Sequence, residues 1–269
     1  MTIAAFDAQH PDGADYVIVP AMSRDDDPAA LAWIKAQAAN GAIVVSVCAG
    51  AKVVAAAGLL DGKQATTHWY YLDELRREHP EIIYVPDRRL VVDDGVTTTT
   101  GITASLPMML TLIEAIAGRD KAVAVARDLG LAEWDARHAS DAFTFTRPFA
   151  TTVLGNVVAF WNRGKLGIPL TPGIDEVTLA IVADAWSRTY RSRALTFADD
   201  PDPVTTENGV RIVPDVARAN SPSETVTLSD APTIAALDAA LAAIGDRYGQ
   251  ATADVVAMQL EYPRELPRN

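Results

Sequence analysis

Apolar runs of about four to eight residues alternate with helical periodicity along the first half of the chain, a pattern typical of strands buried in a parallel sheet. The segments between the runs predict helices that cover both faces of that sheet. The predicted strands are residues 15–20, 43–47, 64–68, 82–86, 90–92 and 96–100. The predicted helices are residues 28–40, 52–60, 70–78 and 106–117. The first half is therefore predicted to be an α/β domain.

The pattern loosens after about residue 132, and a second passage of strand and helix follows. Pro169 lacks a backbone N–H and therefore suits the edge of a sheet better than its centre. The elements predicted here are a strand over 166–171, a helix over 175–191, a strand over 194–198, a hairpin over 203–214 turning at Asn208-Gly209, and a helical tail over 231–260 broken near Gly249. We predict domains at 1–135 and 166–269, with a connector over 136–165.

Composition narrows the classes of protein to consider. Apolar residues make up 49% of the 269 residues and charged residues 22%, which is typical of a soluble globular protein. A net charge of −12 argues against a nucleic-acid partner, because binding to phosphates relies on clustered Lys and Arg. The single cysteine excludes an intrachain disulfide and fits a reducing compartment. With no apolar leader and no long apolar run, we expect a cytoplasmic protein without a membrane partner.

The single cysteine, Cys48, stands at a chemically informative position. It ends the apolar run 43–47 and is followed at once by Ala49-Gly50 and a helical pattern. A strand, an abrupt turn of small residues and a helix form a nucleophile elbow, which lifts a side chain out of the backbone at the carboxyl edge of a sheet. The backbone N–H groups of Cys48 and Ala49 are candidates for an oxyanion hole.

A histidine follows Cys48 at a compatible spacing. His68 ends the predicted strand 64–67, and if that strand neighbours strand 43–47, both side chains emerge at the same edge of the sheet. An imidazole there can take the proton of the thiol and return it. Trp69 follows and is a candidate for the lining of a pocket. The remaining histidines show no spacing typical of metal ligands, so neither a metal nor a cofactor is predicted.

Three short motifs resemble the ThiJ/PfpI family of the class I glutamine-amidotransferase-like superfamily, which includes the sensor domains of some AraC-type regulators. They are Val47-Cys48-Ala49-Gly50, Gly58-Leu59-Leu60-Asp61-Gly62 and Ala65-Thr66-Thr67-His68-Trp69. The turn Thr100–Ser105 stands where the family has a Thr-Ala-Gly-type turn. The resemblance covers residues 1 to about 130 and implies a flavodoxin-like sheet, with Cys48 as nucleophile or oxidisable thiol and His68 as its neighbour. Thr67, Gly101 and Thr103 are then pocket residues, and the partners implied are a small molecule and a second copy of the chain.

The sequence departs from the family at three places. Pro20-Ala21-Met22 stands where family members have Pro-Gly-Gly, so that Ala21 or Met22 supplies the backbone amide that faces the cysteine. Ala49 stands where PfpI-type proteases have a histidine, which argues against proteolysis. Nothing before Asp15 supplies the acidic residue expected near the cysteine, because the resemblance begins at the family's third strand.

Either a segment upstream of this sequence supplies the family's opening part, or a later segment replaces it, and the second half of the chain contains a candidate replacement. Residues 172–180 and 204–215 resemble the family's opening part, with Thr178 in the place of the acidic residue. We favour a degenerate half-repeat beside the first domain over a permuted arrangement that completes the first sheet.

Three functions remain open from the sequence. The first is a Cys48-dependent hydrolase, hydratase or lyase that acts on a small molecule. The second is a ligand-sensing domain without catalysis, of the kind that transcription regulators use. The third is a redox sensor in which Cys48 oxidises to a sulfinate.

Overall fold

The computed structural model describes residues 2–263, which form two compact units. Unit 1 consists of the residues up to Gly118 together with Trp134–Thr144. Unit 2 consists of Arg119–Glu133 together with the residues from Phe145 onward. The two units therefore exchange short segments near residues 119–144, where the chain passes between them three times.

The predicted domain bounds divide the chain once and do not include this exchange, so the bounds stay a prediction. Residues 1 and 264–269, at the outer ends of the predicted domains, lie outside the described residues. The predicted connector contains a helix, Arg147–Val158.

Unit 1 is built around a four-stranded sheet. Its helices are α1 (Ile3–Gln9), α2 (Pro28–Ala39), α3 (Gly50–Ala56), α4 (Leu72–Glu78) and α5 (Ser105–Ala117). Its strands are β1 (Tyr16–Val19), β2 (Ile43–Ser46), β3 (Gln64–Ala65), β4 (Ile83–Tyr84), β5 (Leu90–Asp93) and β6 (Val96–Thr99). The strand order is β1-β2-β6-β5, with β1, β2 and β6 parallel and β5 antiparallel to β6. The α/β class predicted from the sequence is confirmed.

The local signals in the sequence explain these elements. Asp27 caps α2 by accepting hydrogen bonds from the backbone N–H groups of Ala29 and Ala30, and Gly41 follows the helix with a φ of 99°. The side chains of Val44, Val54 and Leu60 are fully buried between the sheet and its helices. Their burial fixes α3 against the strand that precedes it.

One expected strand pairing is wrong. β3 does not neighbour β2 in the sheet; it pairs in parallel with β4, and β2 lies between β1 and β6. The strand also stops at Ala65, and Thr66–His68 continue as irregular backbone. The four-residue β6 takes the neighbouring place, because its backbone pairs with Val44–Ser46 in register.

Unit 2 has a sheet and helices of its own. Its helices are α6 (Arg119–Leu129), α7 (Arg147–Val158), α8 (Glu176–Ser187), α9 (Thr233–Tyr248) and α10 (Gln250–Leu260). Its strands are β7 (Gly164–Pro169), β8 (Ser192–Ala198), β9 (Val204–Thr205), β10 (Arg211–Ile212) and β11 (Val216–Ala217). β11, β8 and β7 form a parallel sheet in that order, and β9 and β10 form an antiparallel hairpin. The interpretation of this unit as a degenerate half-repeat stays a prediction.

Two predictions for unit 2 are confirmed in detail. Pro169 is the last residue of β7, which lies at the end of the strand order, where a missing donor is tolerated. The helical tail is broken at Gly249, which has a φ of 90° between α9 and α10. No helix among residues 2–263 is both long enough and apolar enough to cross a lipid bilayer.

Candidate functional site

Cys48 lies in the turn between β2 and α3 and has a φ of 58°. This left-handed conformation costs a residue other than glycine roughly 1 to 3 kcal/mol, and the surrounding contacts must supply that free energy. The cysteine is only 9% exposed. The predicted succession of strand, small-residue turn and helix is present, and Cys48 is the residue with the strained backbone.

Gly50 explains why the turn can be so abrupt. A Cβ atom built on this glycine would lie 2.2 Å from the carbonyl oxygen of Val19 and 3.1 Å from the carbonyl carbon of Pro20. Any side chain at this position would therefore collide with the end of β1. The glycine lets α3 begin directly against the strand that leads to Ala21 and Met22.

The backbone N–H groups of the turn differ in their partners. Cys48 N–H donates to Thr99 Oγ1 at 3.1 Å, which removes it from the predicted oxyanion hole. Gly50 N–H donates to the carbonyl of Val47 at 2.8 Å. Among residues 2–263, Ala49 N–H has no hydrogen-bond acceptor. Ala49 is thus the amide of this turn that remains able to bind a ligand oxygen.

The loop after β1 supplies two further candidate amides. Ala21 and Met22 are both exposed, and the Met22 side chain is 42% accessible. Pro20, the residue before them, lies against Gly50. The loop therefore starts beside the elbow, and the role of these two amides stays a prediction.

The segment that carries His68 is held directly to Cys48. Thr67 Oγ1 donates a hydrogen bond of 3.2 Å to the carbonyl oxygen of Cys48, and Thr66 N–H donates to Thr98 Oγ1 at 2.9 Å. Thr67 and His68 are buried, at 2% and 6% exposure. The residues around positions 48 and 68 are thus brought together, although through side-chain hydrogen bonds and not through the strand pairing that the sequence suggested.

His68 is restricted in its acid–base chemistry by a backbone contact. Its Nδ1 accepts a hydrogen bond of 3.1 Å from the N–H of Tyr70. An accepting Nδ1 carries no hydrogen, so the neutral imidazole is protonated at Nε2. Because protonation of Nδ1 would break the bond to Tyr70, His68 in this tautomer can donate a hydrogen from Nε2 but cannot take a proton there.

The other predicted pocket residues lie next in sequence to His68 or shortly after Thr99. Trp69 is half-buried, and its ring centroid lies 5.7 Å from that of His68. Gly101 is buried and precedes a short 3-10 turn, Ile102–Ala104, in which Thr103 is half-buried. These residues stay candidates for the lining of a pocket.

The structure adds functional residues that the sequence reasoning did not single out. They are Thr98 and Thr99 of β6, whose hydroxyl groups accept the backbone hydrogen bonds just described and which belong to a run of four buried threonines, residues 97–100. A run of threonines in a strand that is buried on both faces is an unusual use of polar side chains. That run in the sequence is the signal by which these residues could have been found.

Lys52 on α3 ties the elbow helix to its surroundings. Its Nζ lies 2.6 Å from Asp25 and 2.9 Å from Glu74, and 5.3 Å from the centroid of the Tyr71 ring. Burial disfavours the charge on Lys52, but the hydrogen bonds to the two carboxylates outweigh it and hold the pKa of Lys52 above its usual value. The hydrogen bond from Lys52 lowers the pKa of Asp25. The acidic run at residues 25–27 therefore serves an ion pair and a helix cap.

A group of side chains with metal-binding chemistry also occurs in unit 1. Ligand atoms of Asp61, His79 and Glu81 lie within 4.8 Å of one another. The spacing of histidines alone did not indicate this group, because its members come from two turns that are separate in the sequence. Both carboxylates are exposed.

Thr178, the residue in the place of the family's acid, is engaged within unit 2. It is 3% exposed, and its hydroxyl lies 3.0 Å from Asp175 Oδ2 and 2.9 Å from Thr233 Oγ1. Its hydroxyl thus joins the start of α8 to the start of α9.

Comparison with known proteins agrees with the resemblance stated from the sequence. Residues 8–115 match the sequence profile of the DJ-1/PfpI family. Over 98 residues the chain is 45% identical to isonitrile hydratase from Pseudomonas putida, an alignment that covers 36% of this chain and 41% of the hydratase. Over 104 residues it is 35% identical to the HTH-type transcriptional regulator CdhR from Pseudomonas aeruginosa, covering 39% of this chain and 31% of the regulator. The chain thus spans less than half the length of either relative.

Solved structures that match part of the chain include a ThiJ/PfpI family protein from Pseudomonas syringae. That protein is 24% identical, with a TM-score of 0.44, and the match covers 56% of this chain and 63% of the other. DJ-1beta from Drosophila melanogaster is 24% identical with a TM-score of 0.41, covering 47% of this chain and 70% of the other.

Proposed function

We propose that unit 1 is a thiol site of the ThiJ/PfpI type, in which Cys48 is the nucleophile of a small-molecule hydratase. The observation that carries the proposal is the left-handed Cys48 next to Ala49, whose N–H has no acceptor among residues 2–263. A nucleophile held in a strained turn beside an open amide is suited to attack on an electrophilic carbon. Among the hydrolase, hydratase and lyase readings, the identity to an isonitrile hydratase favours hydration.

The proposed reaction is the addition of water to an isonitrile. The sulfur of Cys48 bonds to the terminal carbon and the thiol hydrogen goes to the same carbon, which gives a thioimidate. Water then adds to that carbon, placing its oxygen there and one hydrogen on nitrogen. The carbon–sulfur bond breaks, the second hydrogen of water returns to sulfur, and a formamide leaves. Ala49 N–H binds the oxygen when it carries negative charge, and the Nε2–H of His68 is a hydrogen-bond donor toward the reacting groups, so the thiol hydrogen passes to the carbon without being taken up at Nε2.

Turnover of a simple alkyl isonitrile tests this proposal. The full chain, Cys48→Ala and Cys48→Ser are incubated with tert-butyl isonitrile, and the formamide is followed by proton NMR. We expect formation of formamide by the wild type and a loss of at least about 10³-fold in both variants. Ser46→Ala is the matched control, since Ser46 is a small buried residue two positions earlier on β2. Equal rates in the wild type and Cys48→Ala would contradict the proposal.

A ligand-sensing domain is the second candidate, and the hydrogen bond from Tyr70 to His68 Nδ1 favours it. That bond occupies the accepting nitrogen of the neutral imidazole, so His68 cannot take the proton of Cys48 without breaking it. The identity to a transcriptional regulator points the same way. In this case no small electrophile is turned over, and a bound ligand raises the unfolding temperature of the wild type and of Cys48→Ser equally.

The proposal also covers the oligomeric state of the protein and its cellular compartment. We propose a homodimer in the cytoplasm, on the basis of the family resemblance and the single cysteine. Sedimentation velocity of the full chain at micromolar concentration tests the dimer, and a single monomeric species would contradict it.

A further inference from the structure

Both peptide groups of Cys48 are held by threonine side chains. On the N-terminal side, Thr99 Oγ1 accepts the hydrogen bond from Cys48 N–H at 3.1 Å. On the C-terminal side, Thr67 Oγ1 donates to the carbonyl oxygen of Cys48 at 3.2 Å. These threonines lie 51 and 19 residues away in the sequence, on two different segments. The backbone conformation of Cys48 is thus held by hydrogen bonds on both sides of the residue.

The Thr99 hydroxyl is oriented by a bond of its own. It donates to the carbonyl oxygen of Thr100 at 3.2 Å, so its lone pairs are left to accept from Cys48. Thr99 is completely buried, at 0% exposure. Without this hydroxyl, Cys48 N–H would be a buried donor with no acceptor from β6, and the left-handed turn would lose the contact that offsets its cost.

We propose that Thr99 and Thr67 are positioning residues, which hold Cys48 in its left-handed conformation next to the open N–H of Ala49. The inference rests on the proposed function of Cys48 as a reactive thiol. Thr99 has the larger share of this role. Thr67 has the smaller share, because the Cys48 carbonyl also accepts a hydrogen bond from Ala51 N–H at 3.3 Å.

The pH profile of thiol alkylation separates positioning from a merely structural role. Cys48 is the single cysteine of the chain, so the rate of reaction with iodoacetamide reports on it alone. The rate is measured from pH 5 to pH 10 for the folded full chain and for the chain unfolded in urea, in which Cys48 is an ordinary thiol. The midpoint of the folded protein is expected to differ from that of the unfolded chain, because the turn fixes the thiol at the start of α3.

Thr99→Val removes the hydroxyl and keeps the branched shape of the side chain. We expect it to move the midpoint of alkylation most of the way to that of the unfolded chain, and Thr99→Ser to restore the wild-type midpoint. Thr97→Val is the matched control, because Thr97 is a buried threonine of the same strand that does not bond to Cys48. Its midpoint is expected to stay at the wild-type value. Should Thr99→Val fail to fold, Thr67→Val and Thr67→Ser provide the same comparison with a smaller shift.

Two results would overturn the inference. One is a wild-type midpoint equal to that of the unfolded chain, and the other is a Thr99→Val profile that coincides with the Thr97→Val profile. Isonitrile turnover separates this inference from the proposed function. Shifted alkylation in Thr99→Val without turnover by the wild type retains the positioning role and removes the hydratase. If turnover depends on Cys48, and both turnover and the alkylation midpoint are unchanged in Thr99→Val, the hydratase is retained and the positioning role is removed.

Discussion

Each unit contains a strand followed by a turn and a helix. The two units differ in whether the backbone N–H groups at the start of that helix have hydrogen-bond acceptors. In unit 2, Asp175 Oδ1 accepts hydrogen bonds from the N–H groups of Val177 and Thr178 at the start of α8. In unit 1, Ala49 precedes α3, offers no side-chain acceptor, and has an N–H without an acceptor among residues 2–263. In unit 2 the backbone N–H groups at the start of the helix are hydrogen-bonded within the chain, whereas in unit 1 the Ala49 N–H remains able to bind a ligand.

The turn before the helix is also more strained in unit 1 than in unit 2. Unit 2 uses Gly173, with a φ of 79°, for the left-handed position of its turn, whereas unit 1 uses Cys48. Glycine adopts this conformation at little cost and cysteine does not. Strain and an open amide occur together where reactive chemistry is proposed, and a glycine and a helix cap occur together where the turn has a structural role.

The largest effect is expected from a methyl group at Gly50. Gly50→Ala places a Cβ 2.2 Å from the carbonyl oxygen of Val19, and because that neighbour is backbone, it should lower the free energy of unfolding of unit 1 by about 3 kcal/mol. Gly173→Ala is the matched control, since no atom lies within 4 Å of its added Cβ and only the positive φ opposes it. It should cost unit 2 about 1 kcal/mol. Urea unfolding followed by circular dichroism measures both, and equal losses would contradict the close approach of α3 to β1.

Removal of the helix cap should be the next largest effect. Asp175→Ala leaves two backbone N–H groups of α8 without their acceptor and removes one of the two hydroxyl partners of Thr178, and should destabilise unit 2 by about 2 kcal/mol. Asp175→Asn retains an acceptor oxygen and is expected to lose less than half as much. A loss in Asp175→Ala no greater than in Asp175→Asn would show that the cap adds nothing in this unit.

Much of the order of elements was accessible from the sequence because local signals determine it, although α1 and α6 were not predicted. Apolar runs marked the strands, Gly41 and Gly249 ended helices, and Asn208-Gly209 marked the hairpin between β9 and β10. Helix α7 was missed although Thr146 caps it and Pro148 follows in its first turn. The reason is that Leu154 and Val158 are 62% and 50% exposed, so the helix has no clear separation of apolar and polar faces.

The site was accessible only in part. Cys48 and its turn were predicted from neighbouring residues, since an elbow is a local feature. The threonines that hold Cys48 were not, because a hydroxyl of β6 gains its role from a residue 51 positions away. The restricted chemistry of His68 was not predicted either, because it depends on the backbone conformation at Tyr70.

The ion pairs of Lys52 are expected to stabilise the elbow helix by a smaller amount that varies with pH. Lys52→Met should destabilise unit 1 by about 1 kcal/mol at pH 7, because both carboxylates remain partly exposed and screened. The pKa of Asp25 is lower in the folded chain than its ordinary value of 3.8, so its contribution is present above that value and is lost as the pH falls further. The pKa of Lys52 is raised, so its contribution persists until alkaline pH. The difference between wild type and Lys52→Met should therefore shrink below about pH 4.

Denaturant unfolding at several pH values measures this difference. Lys35→Met is the control, because Lys35 is exposed on α2 and should show a change within about 0.5 kcal/mol at every pH. A Lys52→Met difference that stays constant from pH 7 to pH 3 would contradict the assigned ion pairs.

The smallest effect should come from Thr100, directly after β6, and it should have the opposite sign. The Thr100 hydroxyl is buried and forms no hydrogen bond among residues 2–263, whereas the Thr99 hydroxyl bonds to Cys48. Thr100→Val keeps the shape of the side chain and removes an unsatisfied polar group, so the free energy of unfolding should rise by about 0.5 kcal/mol. Thr97→Val controls for the greater preference of valine for strands, and an equal gain there would assign the effect to that preference. A loss of stability in Thr100→Val would show instead that this hydroxyl has a partner, and the row of threonines would then serve the elbow at one more position than Thr98 and Thr99.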